Sequence, residues 1–231
     1  MDYNYKLVKM CERTLYPDRP EYLNSFSALY MCFISGYYLS QQRNFSKNEI
    51  SKKIYSKQLL TSNSIAIIYW CIFVNGIGSF LYHWYAWYIF KLLDEISMIL
   101  PIWIGLCKIM HNLNYSIYYT GFFTSINILF IVLNVFPWFH DYFPIAFASE
   151  IIILIPLYYQ SLKYLEDKNS VGIKGIFICS GSGIIWGIIE MNCNKYLIFG
   201  HSIWHIGMST GLCYILTYFK NLEPIFISHI V

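Results

Sequence analysis

The chain of 231 residues is 57% hydrophobic and only 13% charged, against about 45–50% and about 25% in ordinary soluble domains. Aromatic side chains supply 20% of it; this excludes disorder and leaves more apolar surface than a water-soluble globule of this length can hide. The net charge of +3, with no long Lys/Arg block, argues against a nucleic-acid partner and leaves an all-α polytopic membrane protein as the expectation.

The first 21 residues are polar and contain no apolar core of a cleavable signal peptide. Seven apolar stretches follow, at roughly 22–40, 61–84, 88–110, 115–136, 143–162, 173–190 and 197–219. Each is near the ~20 residues that cross ~30 Å of hydrocarbon, and in lipid such a segment must pair its own backbone as a helix. No repeat or linker divides them, so residues 1–231 read as one seven-transmembrane helix bundle.

Basic residues set the predicted orientation. The loop after the first stretch carries Arg43, Lys47, Lys52, Lys53 and Lys57, and Lys108, Lys163, Lys168, Lys174 and Lys220 fall on the same side. This places the C-terminus in the cytosol and the N-terminus in a lumen or outside the cell. Five cysteines lie within apolar stretches. Cys11 and Cys193 lie off them, on the predicted oxidising side, where either a disulfide or two free thiols is consistent with their positions.

A charge or imidazole at membrane depth is expensive and marks a functional site by default. The second stretch closes with Gly78-Ser79 and, four residues after the serine, His83; the third opens with Lys91 and Asp94-Glu95; the seventh opens with His201 and, again four later, His205. Residues four apart share a helix face. The predicted topology brings all three places to the outer layer. Three imidazoles leave one position open on a tetrahedral zinc, the arrangement of a catalytic site, and a neighbouring carboxylate can exchange protons there. The competing reading makes each histidine a separate interhelical hydrogen-bonding residue. Glu150 reads either as a structural polar contact or as cavity lining. Glu190 reads as structural, His111 and His229 as cytosolic, and His140 as a solvated loop residue.

Two protease readings compete with the metal reading. A zinc protease needs His-Glu-x-x-His, but Ser202 follows His201. A serine protease built on Ser180-Gly181-Ser182-Gly183 with His201 or His205 competes with simple close packing of small residues between helices.

The ordered set Ser79, His83, Asp94 and His201-x-x-Trp204-His205, with an N-terminal Cys11-Glu12 and Glu21-Tyr22-Leu23-Asn24-Ser25-x-Ser27, resembles the alkaline ceramidases. These are a branch of the heptahelical hydrolases that also include adiponectin receptors and GPI-remodelling lipid hydrolases. The resemblance implies zinc held by His83, His201 and His205, proton handling by Asp94 and oxyanion stabilisation by Ser79. It also implies hydrolysis of the N-acyl bond of ceramide, in an endomembrane (endoplasmic reticulum or Golgi) or the plasma membrane, and supports a Cys11–Cys193 disulfide. A calcium site is a further family feature, with Glu12 and Glu21 at matching positions. Lys9, Met10 and Thr14 depart from that pattern, and a lysine is repulsive to calcium; Lys9 offers an internal cation instead. A related hydrolase of another lipid, and a receptor with structural zinc, are the alternatives. The sequence leaves the oligomeric state open.

Overall fold

A computed structural model describes residues 10–49, 62–112, 115–136, 143–162 and 170–221. Lys9, Lys52, Lys53, Lys57, His140, Lys163, Lys168 and His229 lie outside the described residues. Those residues form eight helices: α1 (Cys11–Leu15), α2 (Tyr22–Glu49), α3 (Ser62–Tyr85), α4 (Tyr88–Asn112), α5 (Ile117–Val135), α6 (Phe143–Leu162), α7 (Ser170–Met191) and α8 (Gly200–Asn221).

The seven long helices lie on the seven apolar stretches, with three differences. The five-residue α1 is an addition, too short to leave a periodic signal. Helix α2 runs on to Glu49 rather than stopping near residue 40, because the Gln, Arg, Lys and Glu of its tail sustain a helix as readily as apolar residues do. Helix α8 begins at Gly200 rather than at 197, after a turn in which Asn194 accepts the Tyr196 N–H through its side chain and the Leu197 N–H through its carbonyl. Pro101 sits inside α4 and Pro156 inside α6.

Helix α8 packs on α7 and α2, α2 on α3, and α3 on α4, which in turn carries α5 and α6. Two close approaches set these crossings. At α7–α8, a Cβ on Gly175 would stand 2.6 Å from the Gly211 carbonyl, and one on Gly211 would meet the Gly175 carbonyl equally closely; only glycine lets the two backbones touch. At α3–α4, a Cβ on Gly78 would reach within 3.0 Å of the Asp94 amide. The α3–α4 connection is short and strained: Ala86 holds φ 56 and donates its N–H to the Tyr82 carbonyl at 2.8 Å. A left-handed alanine is uncommon, and here it turns the chain so that α4 returns directly against the end of α3.

The interior is divided along its length. Ile65, Ile68, Tyr69, Ile72, Leu106, Ile109, Leu216 and Tyr218 belong to an apolar core towards the start of α3 and the ends of α4 and α8. The opposite end buries Glu12, Glu21, Asn24, Asn75, Ser79, His83, Lys91, Asp94, Glu95, His201 and His205. Among the described residues, Ser64–Tyr85, Ile117–Val135 and Val171–Met191 are long and apolar enough to cross a membrane. Large apolar side chains face outward, including Phe33 at 75% and Phe177 at 73% exposure. Such a surface belongs in lipid, and the chain is a multi-pass membrane protein.

Candidate metal centre

His83 stands on the last turn of α3, and His201 and His205 on the first two turns of α8. The i, i+4 spacing of the α8 pair puts both rings on one face, and the α2–α8 and α2–α3 packing brings that face to the end of α3. One ligand atom from each of the three lies within 4.8 Å of the others, and all three residues are buried.

The protein fixes which nitrogens are free. His83 Nδ1 lies 2.5 Å from Glu21 Oε2. An ionised carboxylate only accepts, so Nδ1 carries the proton and Nε2 keeps its lone pair. That Nε2 is buried without a protein partner, and so is His201 Nδ1. Ser27 donates its one hydroxyl proton to the Asn24 carbonyl at 2.9 Å, so its oxygen accepts from His205 Nδ1, also at 2.9 Å. His205 Nε2 is then a lone pair as well, 3.2 Å from Ser79 Oγ. Buried imidazole nitrogens without partners are costly unless something binds them. Two such nitrogens beside the His205 Nε2 lone pair, with the His83 and His205 rings oriented by Glu21 and Ser27, are a donor set that fits zinc.

Asp94 lines the same cavity as His201 and His205. Asn75, one helical turn before Ser79, donates to the Asp94 side-chain Oδ1 at 2.9 Å, to its carbonyl at 2.8 Å and to Ser97 Oγ at 3.1 Å. The Ser79 hydroxyl, one turn after Asn75 on α3, faces the His205 Nε2 lone pair. The cavity has about 560 Å³ of empty space, part of it open to the surroundings. It runs from this polar end along Met31, Ile72, Met98, Ile102, Phe147 and Leu212. It is polar where the chemistry sits and apolar elsewhere, as sites for lipid-like ligands are.

The N-terminal segment packs against the end of α3 and the α7–α8 connection. Cys11 and Cys193 form a disulfide, and the Cys11 N–H donates to Glu190 Oε2 at 2.8 Å, which makes Glu190 a structural partner. Glu12 accepts from the first amides of α2, Leu23 N–H at 3.0 Å and Asn24 N–H at 3.1 Å. Glu21 is held by Arg13 Nε at 2.9 Å, Asn24 Nδ2 at 2.9 Å and His83. Burial pushes the Glu21 carboxyl up, but the hydrogen bond from His83 and the Arg13 guanidinium outweigh it and hold the group below its ordinary value. Both carboxyl oxygens of each glutamate thus accept from protein donors.

Other readings resolve as follows. Ser182 donates to the Cys179 carbonyl at 2.9 Å and packs where Gly207 of α8 comes closest, so this small-residue stretch serves packing. Glu150 is fully buried, and neither carboxyl oxygen has a partner among the described residues, but it does not line the cavity. His111 is exposed at the end of α4. Asn75 and Arg13 were missed as site residues: a lone amide in an apolar helix and one arginine among several basic residues form no motif.

These features define a helical membrane protein with a buried site able to hold a metal ion, walled by apolar side chains. The chain belongs to the ceramidase family, whose family model (Ceramidase) matches residues 8–225. That membership implies ceramide amidohydrolase activity and makes the protein a hydrolase acting on a linear amide. No curated protein matches it in direct comparison.

Proposed function

We propose that this protein is a zinc-dependent intramembrane amidase that cleaves the N-acyl bond of ceramide, releasing a sphingoid base and a fatty acid. One observation carries the reading: three buried imidazoles, with ligand atoms within 4.8 Å of one another, meet at the polar end of an apolar-walled cavity beside a buried carboxylate. His83, His201 and His205 are the zinc ligands. Bound there, zinc supplies Lewis acidity and an activated water at an open coordination position.

The chain's own groups do the rest. Asp94, oriented by Asn75, takes a proton from the attacking water and returns it to the departing amine nitrogen. Ser79 donates its hydroxyl to the substrate carbonyl oxygen as that oxygen gains charge. The cavity wall of Met31, Met98, Ile102 and Phe147 receives acyl or sphingoid hydrocarbon and excludes water from the polar end. All seven long helices cross the membrane as one domain, with the N-terminus and the site on the lumenal or extracellular side of an endomembrane or the plasma membrane. The disulfide beside the site supports that orientation, since such bonds persist in oxidising compartments.

The test is fatty-acid release from ceramide by detergent-purified protein. The expected result is release that a zinc chelator stops, that added zinc restores, and that falls to background in folded His205→Ala protein. Chelator-sensitive release from another lipid but none from ceramide would move the substrate elsewhere. Normal turnover by His205→Ala would remove the metal site from the mechanism.

A further inference from the structure

The calcium that the family resemblance implies does not fit the N-terminal segment, and the misfit identifies what replaces it. We propose that Arg13 is the permanent cation of this site, so that His83 is positioned through Glu21 without calcium. The inference rests on the reading of His83 as a metal ligand.

Arg13 grips His83 from two directions. Its Nε lies 2.9 Å from Glu21 Oε1, while Glu21 Oε2 accepts from the His83 ring at Nδ1. Its Nη2 donates to the His83 carbonyl at 3.0 Å, and the Glu21 N–H donates to that same carbonyl at 3.1 Å. The carbonyls of a helix's last turn lack intrahelical partners and carry its negative dipole end. A guanidinium there meets both the dipole and the carboxylate, and its planar fork satisfies two acceptors at fixed angles. The Arg13 guanidinium also lies 5.9 Å from the Tyr82 ring centroid.

The oxygens that calcium would need are engaged. Calcium takes 6–8 oxygen ligands. Both Glu12 oxygens accept α2 amides, and both Glu21 oxygens accept from Arg13, Asn24 and His83. A divalent ion brought to Glu21 would also face a guanidinium within hydrogen-bonding distance of the same carboxylate. Arg13 is joined to the chain two residues from the disulfide-bonded Cys11, so this cation does not dissociate and needs no ion supply. Arg13 is a positioning residue: it reaches the site only through Glu21 and the end of α3.

The test uses full-length protein in detergent with three readouts: metal content by elemental analysis, thermal unfolding, and zinc affinity by competition with a chromogenic chelator. Wild-type protein is expected to hold zinc but less than about 0.1 calcium per chain, and millimolar calcium chloride is expected to move its midpoint no more than magnesium chloride does. Arg13→Gln should weaken zinc about 10–100-fold, the range for losing an outer-shell partner of a metal ligand. Arg13→Lys, which keeps the charge, should stay within about threefold of wild type. Stoichiometric calcium, or a calcium-specific rise of more than about 3 °C, would overturn the proposal. So would Arg13→Gln with wild-type zinc affinity, or equal losses in the Gln and Lys variants, which would assign Arg13 to packing. If Arg13→Gln does not fold, wild-type calcium content and midpoint still decide. A protein that binds zinc yet spares ceramide would defeat the functional reading while leaving these readouts valid.

Discussion

Asn75 does for Asp94 what Glu21 does for His83. A buried carboxylate at a helix start has several rotamers open to it, and one amide donating to both its side-chain oxygen and its backbone carbonyl removes that freedom. Asn75→Ala should therefore lower kcat about 10–100-fold, the usual effect of losing an outer-shell partner. KM should change little and the bound zinc not at all. A variant that loses zinc, or one with unchanged kcat, would show that Asn75 does not act through Asp94. The histidines were legible in the sequence because imidazole is rare at membrane depth and two of them share an i, i+4 face. Asn75 and Arg13 were not, because their importance lies in what they touch across helices. Lys9, which the sequence offered as the internal cation, lies outside the described residues, whereas Arg13 stands against the glutamate.

At the scale of elements, the short α1 is worth more than its five residues suggest. It cannot be stable alone, since isolated helices shorter than about 12–15 residues are marginal, and it is fastened through its first two residues. The disulfide ties it to the α7–α8 connection across a separation of 182 residues, and Glu12 caps the amides of α2. Cys193→Ser should lower stability by about 2–5 kcal/mol, the usual effect of removing a native disulfide, read as a fall in thermal midpoint. The sequence alone predicts no effect on chemistry. The structure adds one: α1 carries Arg13, so the variant should also bind zinc more weakly. Unchanged zinc affinity beside a lowered midpoint would make the disulfide purely a staple. Long helices were legible because each is an uninterrupted apolar run. The α7–α8 crossing was legible only as a small-residue stretch, since which glycine meets which is decided by mutual packing of Gly175 and Gly211.

At the scale of the whole molecule, polarity and apolarity are sorted by depth and by face. Helices α3, α5 and α7 are long and apolar enough by composition alone to span a membrane, whereas α4 and α8 dilute their apolar character with the groups that build the site: Lys91, Asp94 and Glu95 on one, His201 and His205 on the other. Those groups point inward, and Lys91 and Glu95 pair at 2.5 Å within one turn of α4, so the lipid-facing surface need not show them. This is why a hydropathy criterion and a count of apolar stretches disagree about the same helices. In the proposed seven-crossing topology, the end bearing the site, α1 and the disulfide is lumenal or extracellular, and the C-terminus is cytosolic. Ten of the 16 Lys and Arg residues then fall on the cytosolic side, as the positive-inside tendency requires. An Asn-x-Ser acceptor sequence appended ahead of Met1 should therefore be glycosylated when the protein is made in the presence of endoplasmic-reticulum membranes, and the same acceptor appended after Val231 should stay unmodified. Modification at both ends would mean an even number of crossings. Modification only at the C-terminus would invert the bundle and put the site, with its disulfide, on the reducing side, where such a bond is not expected to persist.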